Sequence, residues 1–582
     1  MLRFMSGIFQ QAGWAAGGQG SNNWVLAPGR SATGSPILCN DPHLRMELPP
    51  VWYLVHLQAA RAREDQEEFE VWGASIAGSP GVQLGHNRWI AWGVTAALCD
   101  DAELYLEKIH PQQADFYLAD GQWTKVRSEE ETIAVRGGGE IVRKVRLTRH
   151  GPLLSDFTRG ASRAGEEALA FRWTAHDPSR EMCALDGVNR ARNWDEFREA
   201  ISHQVAPTLN YVYADRSGNI GYSLAGRVPL RPRPPSFLPM PGWSSEFEWK
   251  GSIPFEELPH LYNPTEGVIA TANNRIVDHS YPYHLSDLFE PPYRIRRIKE
   301  LLTARETFSV EDMAEMQQDS VSLHGRDLVG ILRDDLEAVA GKNADLRSAA
   351  EKLLSWNGDC SENSAEAALF HLFYQRLTAN LLTAELGPEL FLAYTEIFNQ
   401  SLAPVEQILR DPRSPWFAKC VRPAMSEKSL REACDELAQR VGTDMGQWSW
   451  GKIHTLTLRH PLDRIRLLRP LLSIGPFPSP GDAVTIKMGF YRHSNPYDQV
   501  VGPSLRMIID LAAPERSLFV IPSGQSGHFF SPHYRDQTEL WRAGRFIHLS
   551  HDAEAAKAWP VLTLAPGELE AGEKKTRIKD GR

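Results

Sequence analysis

The chain has 582 residues and a formal net charge of −10, a balance that argues against nucleic acid as its main partner, because phosphate binding needs clustered basic charge. Its content of 42% hydrophobic, 23% charged and 9% aromatic residues is that of an ordinary globular protein, long enough for a large core and several domains. No apolar run reaches the roughly 20 residues of a membrane span.

Taken in chain order, residues 1–20 read as a linker or propeptide remnant running into glycine. Met1-Leu2-Arg3-Phe4-Met5 does not lead into a signal-peptide core, because Gln10-Gln11 interrupts it. As the sequence begins, the expected compartment is the cytoplasm; a leader further upstream would direct the protein to the periplasm or outside. Strand signals dominate from Ser21 to about Gly221, including Trp24–Leu26, Trp52–Gln58, Ile90–Gly93 and the alternating Ile141–Leu147. Ala119-Asp120-Gly121 and Arg216-Ser217-Gly218-Asn219 mark turns. The proline-dense stretch 230–242 reads as an extended surface crossing.

From about residue 295 the pattern becomes helical. Ser309-Val310-Glu311-Asp312 is a capping box, and Leu328, Ile331, Leu332 and Leu336 follow at helical spacing. Strand signals return after 450, in Arg506–Leu511 and Ser517–Ile521. The charged segment 567–582 reads as a disordered tail. Strands, then helices, then strands predict an α+β fold: a first core part over 21–294, a helical insertion over 295–445, and strands over 446–566 that complete the core. The six cysteines (Cys39, Cys99, Cys183, Cys360, Cys420, Cys434) have no finger or C-x-x-C spacing and read as isolated thiols. Seventeen tryptophans suit an aromatic-rich core or an acyl-binding pocket.

Several catalytic signatures are absent: there is no G-x-S-x-G elbow, H-E-x-x-H, P-loop or G-x-G-x-x-G. Gly73-Ala74-Ser75-Ile76-Ala77 and Gly524-Gln525-Ser526-Gly527 come near the elbow but read best as small-residue turns. Ser21, in Gly20-Ser21-Asn22-Asn23-Trp24, is a different kind of candidate. Cutting the Gly20–Ser21 bond would free an α-amine with an intrinsic pKa of roughly 7.7–8.0, able to act as the base for its own hydroxyl.

This run resembles the processing site of the penicillin acylases, a group that also contains cephalosporin acylases and N-acyl-homoserine lactone acylases. The resemblance continues through Asn40-Asp41-Pro42-His43-Leu44, Gly85-His86-Asn87, Ala91–Ala96, Asn210–Asp215, Trp249-Lys250-Gly251 and Ala270–Asn274, and closes at Ser531-Pro532-His533-Tyr534. It implies an N-terminal nucleophile hydrolase with a four-layer αββα sandwich of two antiparallel sheets, in which Ser21 is exposed by self-cleavage. By the same resemblance, the backbone N–H of Ala96 and the amide of Asn273 stabilise the oxyanion, and His43 orients the Ser21 hydroxyl or amine. Arg294 matches an arginine near the family's active site; its alternative reading is a surface helix charge.

The resemblance also implies a structural calcium at Asp100, the carbonyl of Ala102, Glu103 and Asp287, and no organic cofactor. Hard oxygen ligands suit that ion, although Glu103 stands where the family carries aspartate, and an acidic loop without metal is the other reading. Family precursors carry a long helical segment before the processing site; here Met1–Gly20 precede Ser21. Three explanations stand open: a start further upstream, a separate upstream helical chain as partner, or a relic. The expected function is an amidohydrolase that removes an acyl chain from a small secondary amide, of β-lactam or acyl-homoserine lactone type, through an acyl-enzyme on Ser21. The alternatives are an unprocessed, non-catalytic binding protein and a conventional serine hydrolase using Ser75 or Ser526.

Overall fold

The computed structural model describes residues 20–59, 68–157, 167–232, 238–397, 399 and 401–549. The expected linker over 1–19, Arg233-Pro234-Pro235 of the proline-rich crossing and the tail over 567–582 lie outside the described residues.

The strand Gly20–Leu26 is buried along its whole length. It pairs antiparallel with Ile37–Arg45 on one side and with Val268–Thr271 on the other. Strand geometry sends successive side chains to opposite faces. Trp24 and Leu26, with Ile37 and Cys39 of the neighbour, therefore pack on one face against Ile295, Ile298, Leu302 and Met313 of the helices Tyr293–Thr303 and Val310–Met316. Val25 and Leu38 point the other way, into a second sheet.

That second sheet has seven strands, in the order His260–Tyr262, Ile220–Ala225, Leu209–Asp215, Ile90–Ala96, Leu84–Asn87, Phe69–Ile76 and Trp52–Ala59. All its pairings are antiparallel. Ala91, Val212, Ala214 and Leu224 face the first sheet, whereas Ile90, Trp92, Tyr211 and Tyr213 pack outward on Val188, Phe197 and Ile201 of the helices Glu181–Arg190 and Trp194–Ile201. The layers are helix, sheet, sheet, helix. Asn40 ties the two sheets together: its amide donates to Val94 O at 3.0 Å and accepts from Val94 N at 3.0 Å.

The first sheet is mixed where two antiparallel sheets were expected. Thr455–Leu458 runs parallel to Asn495–Pro503, with Thr455 opposite Asp498. The alternating segment Ile141–Leu147 forms a ribbon with Arg127–Val135 in which Ile141 and Val142 are exposed, Val142 at 55%, and Val145 and Leu147 are half-buried. Ser75 lies in an extended strand and donates to Ser79 O at 3.4 Å, and Ser526 sits in a turn closed by Ser526 N to His533 O. Neither is a nucleophile elbow.

The capping box forms as expected, with Asp312 N donating to Ser309 Oγ and Ser309 N to Asp312 Oδ2. The helical spacing at 328–336 spans two helices rather than one: Leu323–Ile331 ends at Leu332, and Arg333–Lys342 begins there. The helices between Leu323 and Val441 close over their own apolar cluster, centred on Phe370, Phe373 and Leu377 of Ala365–Thr395. No helix among the described residues is long and apolar enough to cross a membrane. The six cysteines are unbridged; Cys39, Cys99 and Cys360 are buried, whereas Cys183 is exposed.

Candidate active site

Ser21, Asn22 and Asn23 are polar residues buried in the middle of a sheet sandwich. Burying such groups is costly unless their hydrogen bonds are met. For Ser21 and Asn22 they are met by residues from four distant parts of the chain. Asn273 lies just beyond Val268–Thr271 in the left-handed region, at φ +61°, a conformation asparagine tolerates better than most residues. Its Oδ1 accepts from Ser21 N at 2.6 Å and from Arg294 Nη2 at 3.0 Å. With two donors on the oxygen, the amide orientation is fixed, and Nδ2 donates to Ala96 O at 2.8 Å.

Arg294 is fully buried near the start of the helix Tyr293–Thr303. Its Nη1 donates to Ser21 O at 2.6 Å and to Asn22 Oδ1 at 2.8 Å. Its surface-charge reading is thereby excluded. Burial pulls the guanidinium below its usual range, opposed by Glu290 and Asp41. Glu290 stands 3.8 Å from Arg294, accepts from Asn399 Nδ2 at 2.6 Å, and donates its backbone N–H to Asn273 O. Burial raises its carboxyl to about 7, against the lowering pull of Arg294.

Ser21 Oγ donates to Gly20 O at 2.6 Å, on the bond whose cleavage was expected. His43 is opposite Gly20 in the strand register, but it does not bond Ser21. Its Nε2 contacts Asp41 Oδ2 at 3.0 Å and Asn22 Nδ2 at 3.4 Å. The reason is the pleat: His43, Asp41 and Asn22 project to the helix-side face, and the Ser21 side chain projects to the other. Burial lowers the imidazole, against the raising pull of Asp41, and raises the Asp41 carboxyl. A Cβ on Gly20 would come within 3.1 Å of His43 Nδ1 and 2.7 Å of Met488 Cε, so a larger residue there would press on both side chains.

The expected calcium ligands do not form an oxygen cage for an ion. The Arg231 guanidinium sits among them, with Nε to Glu103 Oε2 at 2.7 Å and Nη2 to the carbonyls of Asp100 at 2.8 Å and Ala102 at 3.3 Å. The Asp100 carboxylate is turned to His284 and Ser286, and Asp287 is exposed. A side-chain cation fills the place assigned to a metal.

Sequence reasoning missed Asn22 and Asp41 as site residues although both lie inside quoted motifs. Glu290 carried one signal, its position four residues before Arg294 at a helix start. Asn399 carried none.

Two facing sheets between helical layers, with a serine near the start of a buried central strand, define an N-terminal nucleophile hydrolase. The chain belongs to the penicillin amidase family, matching it over residues 4–558. It is 31% identical over 573 residues to the acyl-homoserine lactone acylase QuiP of Pseudomonas aeruginosa, covering 90% of this chain and 66% of the relative. It is 32% identical over 595 residues to the penicillin acylase 2 proenzyme of Pseudomonas sp. strain SE83, covering 97% and 71%. This chain thus spans about two thirds of the length of such relatives. A thermostable penicillin G acylase from Alcaligenes faecalis shares the fold, with a TM-score of 0.71 at 23% identity over 94% of this chain and all of that one.

Proposed function

We propose that this protein is an amidohydrolase that removes an acyl group from a small secondary amide through an acyl-enzyme on Ser21. The observation that carries the reading is the convergence of Asn273 and Arg294 on the backbone of Ser21, from 252 and 273 residues away. A serine with a merely structural role has no need of such a clamp. In the uncut chain Ser21 N is an amide; after cleavage of Gly20–Ser21 it becomes an amine that keeps Asn273 Oδ1 as acceptor. Its lone pair then takes the proton of Ser21 Oγ, through a water, as that oxygen attacks the substrate carbonyl.

The tetrahedral oxyanion is met by Ala96 N–H and by the second hydrogen of Asn273 Nδ2, the first being held by Ala96 O. Collapse expels the amine, and water then attacks the acyl-enzyme to release the acid. Arg294 holds the backbone carbonyl of Ser21 and does not touch Oγ, so its role is positioning. His43 stands at the Gly20 side of the bond to be cut. The names of the relatives favour acylated homoserine lactones and penicillins as substrates.

Ser21→Ala tests the reading. Intact mass of that variant, made from a precursor carrying the residues before Ser21, is expected to retain them, and hydrolysis of either substrate class is expected to vanish. Normal hydrolysis by the Ser21→Ala protein would overturn the mechanism. A parent chain that stays uncut and inactive would point instead to a non-catalytic relic.

A further inference from the structure

We infer that Cys360, His371 and Asp482 form a buried binding site for a zinc-class divalent ion, which fastens the loop beneath the nucleophile strand to the helical part of the molecule. The three residues come from separate elements: Cys360 from the turn before Ala365–Thr395, His371 from that helix, and Asp482 from the loop between Ile474–Pro478 and Phe490–Arg492. All are buried, and their ligand atoms lie within 4.8 Å of one another.

The geometry suits a tetrahedral ion. Ligand distances of about 2.3 Å to sulfur and 2.0–2.1 Å to nitrogen place those two atoms about 3.5 Å apart; Cys360 Sγ and His371 Nε2 are 3.5 Å apart. His371 is oriented from behind, its Nδ1 2.8 Å from Tyr491 Oη and its ring stacked on Trp450. Such a second partner is the usual companion of a metal-binding imidazole. Asp482 Oδ1 accepts from Val484 N at 2.8 Å, which holds the carboxylate in place.

The charges point the same way. Among the described residues no lysine or arginine pairs with Asp482, whereas buried Asp335 and Glu103 each have an arginine. Binding forms metal–sulfur, metal–nitrogen and metal–oxygen bonds and releases the thiol proton. One thiolate and one carboxylate then cancel the double positive charge. The fourth position falls to a water or a neighbouring hydroxyl.

The loop that carries Asp482 also carries Ile486, whose carbonyl accepts from Asn22 Nδ2 at 3.0 Å, and Met488, which abuts Gly20. The ion would thus steady the floor under Gly20-Ser21-Asn22 without touching the reacting atoms.

The test uses the full chain, expressed with added zinc and purified without chelator, and its readout is independent of Ser21 chemistry. Elemental analysis is expected to give about one zinc per chain, reduced at least tenfold in Cys360→Ser and in His371→Gln. Cobalt(II) loading is expected to give a near-ultraviolet thiolate charge-transfer band, absent in Cys360→Ser and retained in Cys99→Ser. Should the site variants fail to fold, the parent decides. Folded parent protein with neither bound zinc nor the cobalt band would reduce the cluster to a thiol–imidazole hydrogen bond and overturn the inference, as would a band that survives Cys360→Ser.

Discussion

Asn273 illustrates how much one side chain can settle when both ends of its amide are committed. Its oxygen receives Ser21 N and Arg294, and its nitrogen faces Ala96. On the proposed mechanism, Asn273→Ala removes one oxyanion donor and should lower kcat by about 10²–10³. Counting the processed fraction by intact mass separates that loss from a failure to cut. Glu290 makes a second residue-scale prediction. Its folded pKa of about 7 lies above the ordinary 4.5, so the folded state binds the extra proton between those values. The stability it contributes is full below about pH 4.5 and is lost as pH rises through 7. Glu290→Gln should flatten that decline, which is at most about 1.4 kcal/mol per pH unit. Denaturant titrations of both proteins from pH 5 to 8 would reveal it, and parallel curves would refute the assignment.

Among the elements, the central strand carries the chemistry on the proposed mechanism, and its pleat divides the work. One face of Gly20–Leu26 presents Ser21 to the second sheet, and the other presents Asn22 to Asp41, His43 and the 480–488 loop. The loop at Asp100–Glu103 is pinned differently, by Arg231. Breaking a buried ion pair from one side typically costs about 3–5 kcal/mol, and Arg231 and Glu103 are 5% and 7% exposed. Arg231→Ala should therefore lower thermal stability by a comparable amount, measured by calorimetry. The parent's melting temperature should not respond to added calcium; a calcium-dependent rise in the parent would show that an ion, and not Arg231, holds the loop.

For the molecule as a whole, two apolar interiors matter: the cluster between the sheets and the separate one inside the helices. Phe373 is fully buried in the helical cluster. Phe373→Ala should destabilise by about 3–5 kcal/mol, seen as an earlier denaturation midpoint. The kcat of the protein that remains folded should be unchanged, because the nucleophile strand packs elsewhere.

Much of this was legible from residue order, because a strand's alternation, a capping box and a glycine before a serine are properties of neighbours. Ser21, the Ser309 cap, the strands around Trp24, Trp92 and Val212, and the α+β class all follow from local pattern. The family motifs supplied Asn273 and Arg294 as names without contacts. Other features needed the folded chain. That His43 faces away from Ser21 depends on pairing register. That Glu290 and Asn399 support Arg294, that Arg231 occupies the expected calcium position, and that Cys360, His371 and Asp482 meet depends on long loop closures. Spacing along the sequence does not encode such meetings, since burial between packed layers, rather than proximity in the chain, selects which polar groups must satisfy one another.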